Sequence, residues 1–381
     1  MGNSNLILFS SLLLPASQTF IRAQGEQLKK FTAYYVGSRL VEGLELPRDR
    51  IAVVNKGTNF GKIAETAFKI SGFAPDFSQK LRQLNPVLIH AQFGLSGALA
   101  LPLARSLKIP LLVHYRGADA TVTEESSRYA SLNHWIYFQR KEALQREARL
   151  FITVSKFIKE KLIEQGFPKE KIIHHYHGVD LDRFRPDPDI PRQPIVLFVG
   201  RLTEKKGCEY LIRAMAKVQS ELPEVELVVI GEGPLQPALE ALAAKILNRY
   251  QFLGLQPPDA VKIWMNRTRL LAAPSITGSE GDSEGLPNVV MEAQAMGLPV
   301  VSTFHAGIPE AVTDGETGFL TKERDVEALA EYSTRLLKDT QLWQCFSAKG
   351  RENVEANFDR AKQTGVLENI YEAVLRGERS N

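Results

Sequence analysis

The stretch Ile195-Val-Leu-Phe-Val-Gly-Arg-Leu-Thr-Glu-Lys-Lys-Gly207 carries the pattern on which the fold prediction rests. Its five apolar residues predict a buried strand that ends at Gly200. A helix is predicted from about Gly207, because apolar residues then recur on one helical face, at Leu211, Ile212, Met215 and Val218. A buried strand followed by an amphipathic helix is the repeating unit of parallel sheets.

Similar apolar runs recur along the chain, separated by segments with helical periodicity; they are Pro86–His90, Pro110–His114, Leu150–Val154 and Glu226–Ile230. This spacing predicts the α/β class, with parallel sheets buried on both faces. Four prolines within Arg183–Pro194 predict an exposed connector. We therefore predict two Rossmann-like, doubly wound domains, residues 1–185 and 186–360, which face each other across a cleft and bind ligands at the carboxyl ends of their strands.

The charge of the chain is unevenly distributed. Its 381 residues include 47 Lys and Arg against 44 Asp and Glu, and a net charge of +3 does not indicate a nucleic-acid-binding protein. Residues 1–185, however, carry 26 basic and 16 acidic residues, whereas residues 186–381 carry 21 and 28. The net charges of +10 and −7 reflect either scattered solvated side chains or a basic face for anionic partners, such as a membrane surface.

Cysteine usage and the N-terminal residues indicate the compartment. Cys208 and Cys345 have no metal-ligand or disulfide-framework spacing, which favours a reduced, cytosolic environment. The apolar run Leu6–Leu14 lacks the basic residues and cleavage site of a signal peptide and is too short to span a bilayer. It predicts a first buried strand, and we expect a cytoplasmic protein with peripheral membrane contact left open.

Two stretches carry the chemistry. Arg201, Lys205 and Lys206 precede a helix N-terminus, a combination suited to a diphosphate, although a solvated basic loop would have the same composition. Further on, Glu284 and Glu292 are eight residues apart, and we predict a helix from Pro287 to Met296, so that Glu292 lies about one and a half turns inside it. Such carboxylates can accept hydrogen bonds from the vicinal hydroxyls of a sugar or ribose. The favourable interaction between an acidic side chain and a helix N-terminus would explain Glu284, but not Glu292, which lies inside the predicted helix.

These motifs carry a resemblance to a known family. GRLxxxKG at 200–207, Gly231-Glu-Gly-Pro234, Phe252-Leu-Gly254 and EGLPNVVMEAQAMGLPVVST at 284–303 resemble the retaining glycosyltransferases of family 4, above all those of bacterial exopolysaccharide assembly. The resemblance implies a GT-B fold, with the acceptor bound in the N-terminal half, the donor in the C-terminal half, and a final helix at about 361–381 packing back on the first domain.

The resemblance also implies the reaction. It is the transfer of a hexose from a nucleotide diphosphate sugar, UDP-glucose or a related UDP-hexose being favoured, to a lipid-linked or oligosaccharide acceptor. GDP-mannose is the alternative donor, and a non-catalytic nucleotide-sugar-binding scaffold is the alternative function. No cofactor and no metal is expected: Asp180-Leu-Asp182 matches a bare metal motif but lies beside the connector, and His174–His177 lacks a carboxylate or thiolate at ligand spacing.

By the family pattern, Arg201 and Lys206 bind the donor diphosphate, Glu284 a sugar hydroxyl and Glu292 the ribose. The first three are the candidate catalytic residues. The remaining candidate donor contacts are Gly231, Phe252, Leu253, Gly285, Leu286 and Asn288.

The N-terminal half departs from the family pattern. Many relatives have a His directly before the glycine of an HG-x-D loop, whereas here the stretch His114-Tyr-Arg-Gly-Ala-Asp119 has Arg116 in that place. Arginine is always charged and binds phosphate or carboxylate through two parallel hydrogen bonds, whereas histidine can be neutral. The candidate acceptor or sugar contacts are Ser17, His90, His114, Arg116 and Asp119.

Overall fold

A computed structural model describes residues 3–13, 15 and 18–378. The chain forms two compact units. The N-terminal unit comprises the described residues of Met1–His177 and Ala361–Asn381, and the C-terminal unit comprises Gly178–Arg360. Each unit contains one parallel sheet with helices, which confirms the predicted α/β class.

The N-terminal unit is built on a seven-stranded sheet. Its strands are β1 (Ser4–Leu13), β2 (Phe31–Leu40), β3 (Ile51–Asn55), β4 (Leu88–Gln92), β5 (Leu111–Tyr115), β6 (Leu150–Thr153) and β7 (Ile172–His174), in the order β3-β2-β1-β4-β5-β6-β7. The helices are α1 (Thr19–Glu26), α2 (Asn59–Ser71), α3 (Pro75–Gln83), α4 (Gly94–Leu107), α5 (Ala118–Thr121), α6 (Glu124–Ser127), α7 (Leu132–Glu147) and α8 (Lys156–Glu164). The predicted first buried strand is confirmed, since Leu6, Ile7 and Phe9 are fully buried.

The C-terminal unit contains a six-stranded parallel sheet. Its strands are β8 (Gln193–Val199), β9 (Glu226–Ile230), β10 (Tyr250–Phe252), β11 (Thr268–Ala273), β12 (Val300–Thr303) and β13 (Gly318–Thr321), in the order β10-β9-β8-β11-β12-β13. The helices are α9 (Cys208–Glu221), α10 (Gln236–Ile246), α11 (Pro258–Arg267), α12 (Asn288–Ala295), α13 (Ile308–Ala311), α14 (Val326–Lys338) and α15 (Thr340–Asn357). The apolar face predicted for α9 is buried against this sheet.

The division between the units lies between His177 and Gly178, whereas the sequence predicted it between Arg185 and Pro186. The proline-rich stretch is part of the C-terminal unit because its backbone and side chains are engaged there. The Asp187 amide donates to Asn266 Oδ1 at 2.9 Å, and the Arg192 guanidinium donates to the carbonyl oxygens of Met265, Thr268 and Met296. The N-terminal unit still carries 27 basic and 17 acidic residues, a net charge of +10.

Helix α16 (Arg360–Leu375) returns the chain to the N-terminal unit. Glu368 is 3% exposed, and its Oε1 accepts hydrogen bonds from the amides of Lys29 and Lys30, both at 2.7 Å. One turn later, the Tyr371 hydroxyl lies 2.6 Å from His90 Nδ1. Among the residues that the structure describes, no helix combines the length and apolarity needed to cross a bilayer.

We expect Glu368→Ala to destabilise the protein by about 1–3 kcal/mol, because two amides lose a charged acceptor at a buried position. The control is Glu372→Ala, which removes only an exposed ion pair with Lys30 and should cost less than about 1 kcal/mol. Urea unfolding measures both, and equal losses of stability would contradict the anchoring role of Glu368.

Candidate functional site

The two motifs predicted to carry chemistry follow neighbouring strands of the C-terminal sheet. Strands β8 and β11 lie side by side, although 68 residues separate Val199 from Thr268 along the chain. The sheet order reverses between them, and ligands of doubly wound folds bind at the carboxyl ends of the strands at such a point. The loop after β8 (200–207) and the loop after β11 (274–287) therefore meet.

Three consecutive residues of the first loop each contact the second loop. We call this set of contacts the loop ladder. Glu204 Oε2 accepts hydrogen bonds from the Ser279 amide at 3.0 Å and from the Ser279 hydroxyl at 2.9 Å. Lys205 Nζ lies 2.8 Å from Asp282 Oδ1, and Lys206 Nζ lies 2.7 Å from Glu284 Oε1. The ladder shows that two of the three cations predicted for an anion site, Lys205 and Lys206, are each paired with a carboxylate.

Two glycines allow the backbone to approach closely around this site. Gly207 has φ of +65°, and a Cβ there would lie 1.9 Å from the Pro274 carbonyl oxygen. Gly231, which follows β9, has φ of +130°, and a Cβ there would lie 2.0 Å from the carbonyl oxygen of Gly200. Any side chain at these positions would therefore push the loops after β8, β9 and β11 apart.

The predicted catalytic residues differ in their environments. Glu284 is 7% exposed; burial alone would raise its pKa, but the charges of Lys206 and Lys205 outweigh burial and hold the pKa below its usual value. Glu284 is therefore a carboxylate at neutral pH. Arg201 is exposed and makes no ion pair with any described residue, so its guanidinium is available to a ligand.

Glu292 lies on α12, which begins at Asn288 and ends at Ala295. The helix is shorter at both ends than the predicted range from Pro287 to Met296, because Pro287 has an extended ψ of 121° and precedes the first turn. Glu292 is consequently about one turn inside the helix. Burial raises its pKa to about 7, and the charges of Arg360 and Arg183 oppose this shift only in part.

The other predicted donor contacts lie around the same edge of the sheet. Gly285 and Leu286 are buried in the loop before α12, and Asn288 opens that helix. Phe252 ends β10 and packs partly against the hydrophobic core, while the Leu253 amide donates to the Val229 carbonyl oxygen at 2.9 Å. Phe252 thus has a packing role in addition to any contact with a ligand.

His305 and Glu323 support the Glu284 loop and were not predicted from the sequence. The Glu284 amide donates to His305 Nε2 at 3.2 Å, which places the imidazole proton on Nδ1, 2.7 Å from Glu323 Oε1. Glu323 also accepts hydrogen bonds from the amide and hydroxyl of Thr277. The sequence offered only one signal for this support, a histidine shortly after β12. No spacing rule relates that histidine to Glu284.

Arg116 follows β5 in the N-terminal unit, and its guanidinium has only neutral hydrogen-bond partners among the described side chains. Its Nε and Nη2 donate to Gln92 Oε1 at 3.2 and 2.7 Å, Nη2 lies 3.2 Å from His114 Nδ1, and the guanidinium carbon lies 4.7 Å from the ring centroid of Phe20. Burial lowers its pKa to about 9, so Arg116 remains charged at neutral pH. Its Nη1 is buried without a partner in the described part of the chain.

The remaining predicted N-terminal residues organise this region. His90 and His114 are fully buried, and burial followed by the charge of Arg116 lowers the pKa of both well below the usual value. His90 therefore contacts Tyr371 and His114 rather than solvent. Asp119 accepts from the amides of Gly94, Arg116 and Gly117, so both its oxygens are occupied by backbone. Ser17 lies outside the described residues.

Comparisons with known proteins identify the family of the chain. Residues 193–339 match the family model for glycosyl transferases group 1, and residues 42–183 match the model for Glycosyltransferase Family 4. A putative colanic acid biosynthesis glycosyltransferase, WcaL of Escherichia coli (strain K12), is 34% identical over 292 residues, which cover 74% of this chain and 70% of the relative. A GDP-mannose-dependent alpha-(1-6)-phosphatidylinositol monomannoside mannosyltransferase of Mycolicibacterium smegmatis is 30% identical over 54% of this chain and 57% of its own.

The crystal structure of Anabaena Alr3699/HepE in complex with UDP matches with a TM-score of 0.78 at 20% identity, over 97% of this chain and all of that one. Fold and site together define a GT-B glycosyltransferase. The chain belongs to the family described by the group 1 and family 4 models.

We expect the Glu292 carboxyl to make the protein less stable as pH rises. Its native pKa of about 7 exceeds the unfolded value of 4.5, so the folded state binds more protons between these values. The stability that the protonated group contributes is present at low pH and is lost as pH rises through about 7. Urea unfolding from about pH 5 to pH 8 should show this loss in the wild type relative to Glu292→Gln, which cannot titrate. Parallel pH profiles would contradict it.

Proposed function

We propose that this chain transfers a hexose from a nucleotide diphosphate sugar to a lipid-linked or oligosaccharide acceptor in exopolysaccharide biosynthesis, with retention of the anomeric configuration. The observation that carries the proposal is the pairing of Lys206 with the buried Glu284 carboxylate at the carboxyl ends of β8 and β11. Arg201, which has no ion pair among the described residues, precedes Lys206 in the same loop. The name of the Escherichia coli relative supports the role in polysaccharide assembly.

The charges suit the bond that breaks. When the bond between the sugar C1 and the phosphate oxygen is cleaved, its electron pair leaves with the diphosphate and positive charge develops on the sugar. Lys206, held by Glu284, and the exposed Arg201 are the cations that stabilise the leaving diphosphate, and this electrostatic contribution is the largest that the site offers. Glu284 orients the sugar by accepting a hydroxyl hydrogen bond, and the departing phosphate assists deprotonation of the acceptor.

UDP-glucose or a related UDP-hexose is the favoured donor, and GDP-mannose is the alternative. The UDP complex of the similar GT-B structure supports the first, and the GDP-mannose-dependent relative supports the second. Glu292 accepts hydrogen bonds from the ribose hydroxyls of either donor, because UDP and GDP carry the same ribose. Since an ionised carboxylate is a stronger hydrogen-bond acceptor than a protonated carboxyl group, donor affinity should increase as pH rises through about 7.

We further propose that the reaction needs no divalent metal. In this proposal, Arg201 and Lys206 supply the positive charge that a bound metal ion supplies to the diphosphate in a metal-dependent enzyme. Transfer should accordingly persist in excess EDTA, and strict dependence on an added divalent cation would contradict this part of the proposal.

We expect Glu284→Gln to abolish sugar transfer while the protein stays folded, because the amide keeps the volume but loses the charge paired with Lys206. The matched control is Glu280→Gln, an exposed acid of the same loop, which should retain activity. Transfer of labelled sugar from UDP-glucose and from GDP-mannose, measured in parallel, identifies the donor. Donor binding without turnover in the wild type would instead indicate a scaffold.

We also propose that the N-terminal unit, with its net charge of +10, brings this cytoplasmic enzyme to an anionic membrane surface. Each basic residue close to an anionic leaflet contributes roughly 1 kcal/mol, and this attraction is screened by salt. We expect binding to anionic vesicles that weakens at high ionic strength. Salt-independent binding, equal for neutral vesicles, would contradict an electrostatic origin.

A further inference from the structure

Helix α2 of the N-terminal unit presents apolar side chains to solvent. Phe60 is 86% exposed, Ile63 is 69% exposed and Ile70 is 55% exposed, and Ala67 between them is exposed as well. At 100° per residue these four positions fall within about 80° of the helix circumference. We call them the α2 face. Solvent-facing helix surfaces are ordinarily polar, and a continuous exposed apolar stripe marks an interaction site.

The opposite side of α2 already packs on the unit. Phe68 is fully buried, and Glu65, the only acidic residue of the helix, is 2% exposed. Glu65 is neutralised there by Lys69 and Arg39, both at 2.8 Å. The α2 face therefore takes no part in packing the core of the unit. No carboxylate of α2 is exposed beside this face. The exposed charge on the helix is Lys62.

Further exposed apolar residues lie near α2. Phe73, just beyond the helix, is 55% exposed. Helix α7 packs against α2, and the Arg140 guanidinium of α7 donates to the Ile70 carbonyl oxygen. Trp135 of α7 is 42% exposed as well, on a face of α7 that lies about 140° around the helix from Arg140. Aromatic side chains of this kind are favoured at the boundary between lipid and water.

We propose that the α2 face inserts into the interfacial layer of an anionic membrane. This proposal rests on the membrane contact proposed above and deepens it by adding an apolar anchor to the electrostatic attraction. A membrane is favoured over a second copy of the chain by charge: two N-terminal units of net charge +10 repel each other, whereas an anionic leaflet attracts this unit. An exposed apolar stripe flanked by lysine and without acids is typical of interfacial helices.

The test measures binding of the full chain to vesicles of phosphatidylcholine with about one third phosphatidylglycerol. The variant Phe60→Ser/Ile63→Ser removes the two most exposed side chains of the α2 face, and we expect its partition coefficient to fall about tenfold to a hundredfold. The matched control is Leu255→Ser/Ile263→Ser, which removes comparably exposed apolar residues, 72% and 54%, from the C-terminal unit and should leave binding unchanged.

A second measurement reports insertion directly and does not depend on the double variant being folded. In Phe60→Trp, the tryptophan emission should shift to shorter wavelength and be quenched by brominated acyl chains when anionic vesicles are added. Unchanged vesicle binding of Phe60→Ser/Ile63→Ser, or an emission that vesicles leave unaltered, would overturn the proposal. So would a change of oligomeric state in that variant without lipid, which would assign the face to a second copy.

The outcome is independent of the proposed catalytic function. Vesicle binding requires no sugar transfer, and transfer to a water-soluble oligosaccharide requires no membrane. An enzyme that transfers sugar but does not bind vesicles would therefore refute the proposed membrane contact and the inference that rests on it, but not the proposed sugar transfer. A protein that binds vesicles through the α2 face but transfers no sugar would refute the proposed function alone.

Discussion

The contact between Lys206 and Glu284 is the interaction on which the candidate site depends. A carboxylate as buried as Glu284 is stable only when a cation compensates it, and Lys206 supplies that charge at 2.7 Å. The same contact holds Lys206 at the carboxyl end of β8. The other two contacts of the loop ladder hold the two loops together, so Glu284 and Lys206 have fixed relative positions before any ligand binds.

Four neighbouring strands contribute to this arrangement. The loops after β8 and β11 form the ladder, and His305 after β12 and Glu323 after β13 fix the amide of Glu284 from the other side. Because these strands are parallel, their carboxyl ends lie on one edge of the sheet. His305 and Glu323 therefore follow the Glu284 loop along that edge in the same order as in the sequence. The N-terminal unit differs, since its Arg116 is held by the neutral side chains of Gln92 and His114 and keeps its charge uncompensated by any ion pair among the described residues.

Most residues with an explicit chemical role could be predicted from the sequence. Arg201, Lys206, Glu284 and Glu292 stand in short motifs whose residue types suit a diphosphate and vicinal hydroxyls. His305 and Glu323 could not be predicted, because their contacts with Glu284 require β11, β12 and β13 to be adjacent. The division of the chain into two compact units also differs from the predicted boundary, for a related reason. The prolines of 183–194 are typical of a linker, but whether such a segment is free or packed depends on distant partners such as Asn266.

The sequence by itself determined the alternation of strands and helices, the parallel α/β class, the unequal charge of the two halves and the side-chain chemistry of the motifs after β8 and β11. Periodicity, turn residues and side-chain type are local properties, so they can be read along the chain. The tertiary structure alone decided that Lys205 is paired, that His90 and His114 are buried, that the pKa of Glu292 is raised and that α2 exposes an apolar face. These properties depend on burial and on distances between residues far apart in sequence, which only the packing of the strands and helices sets.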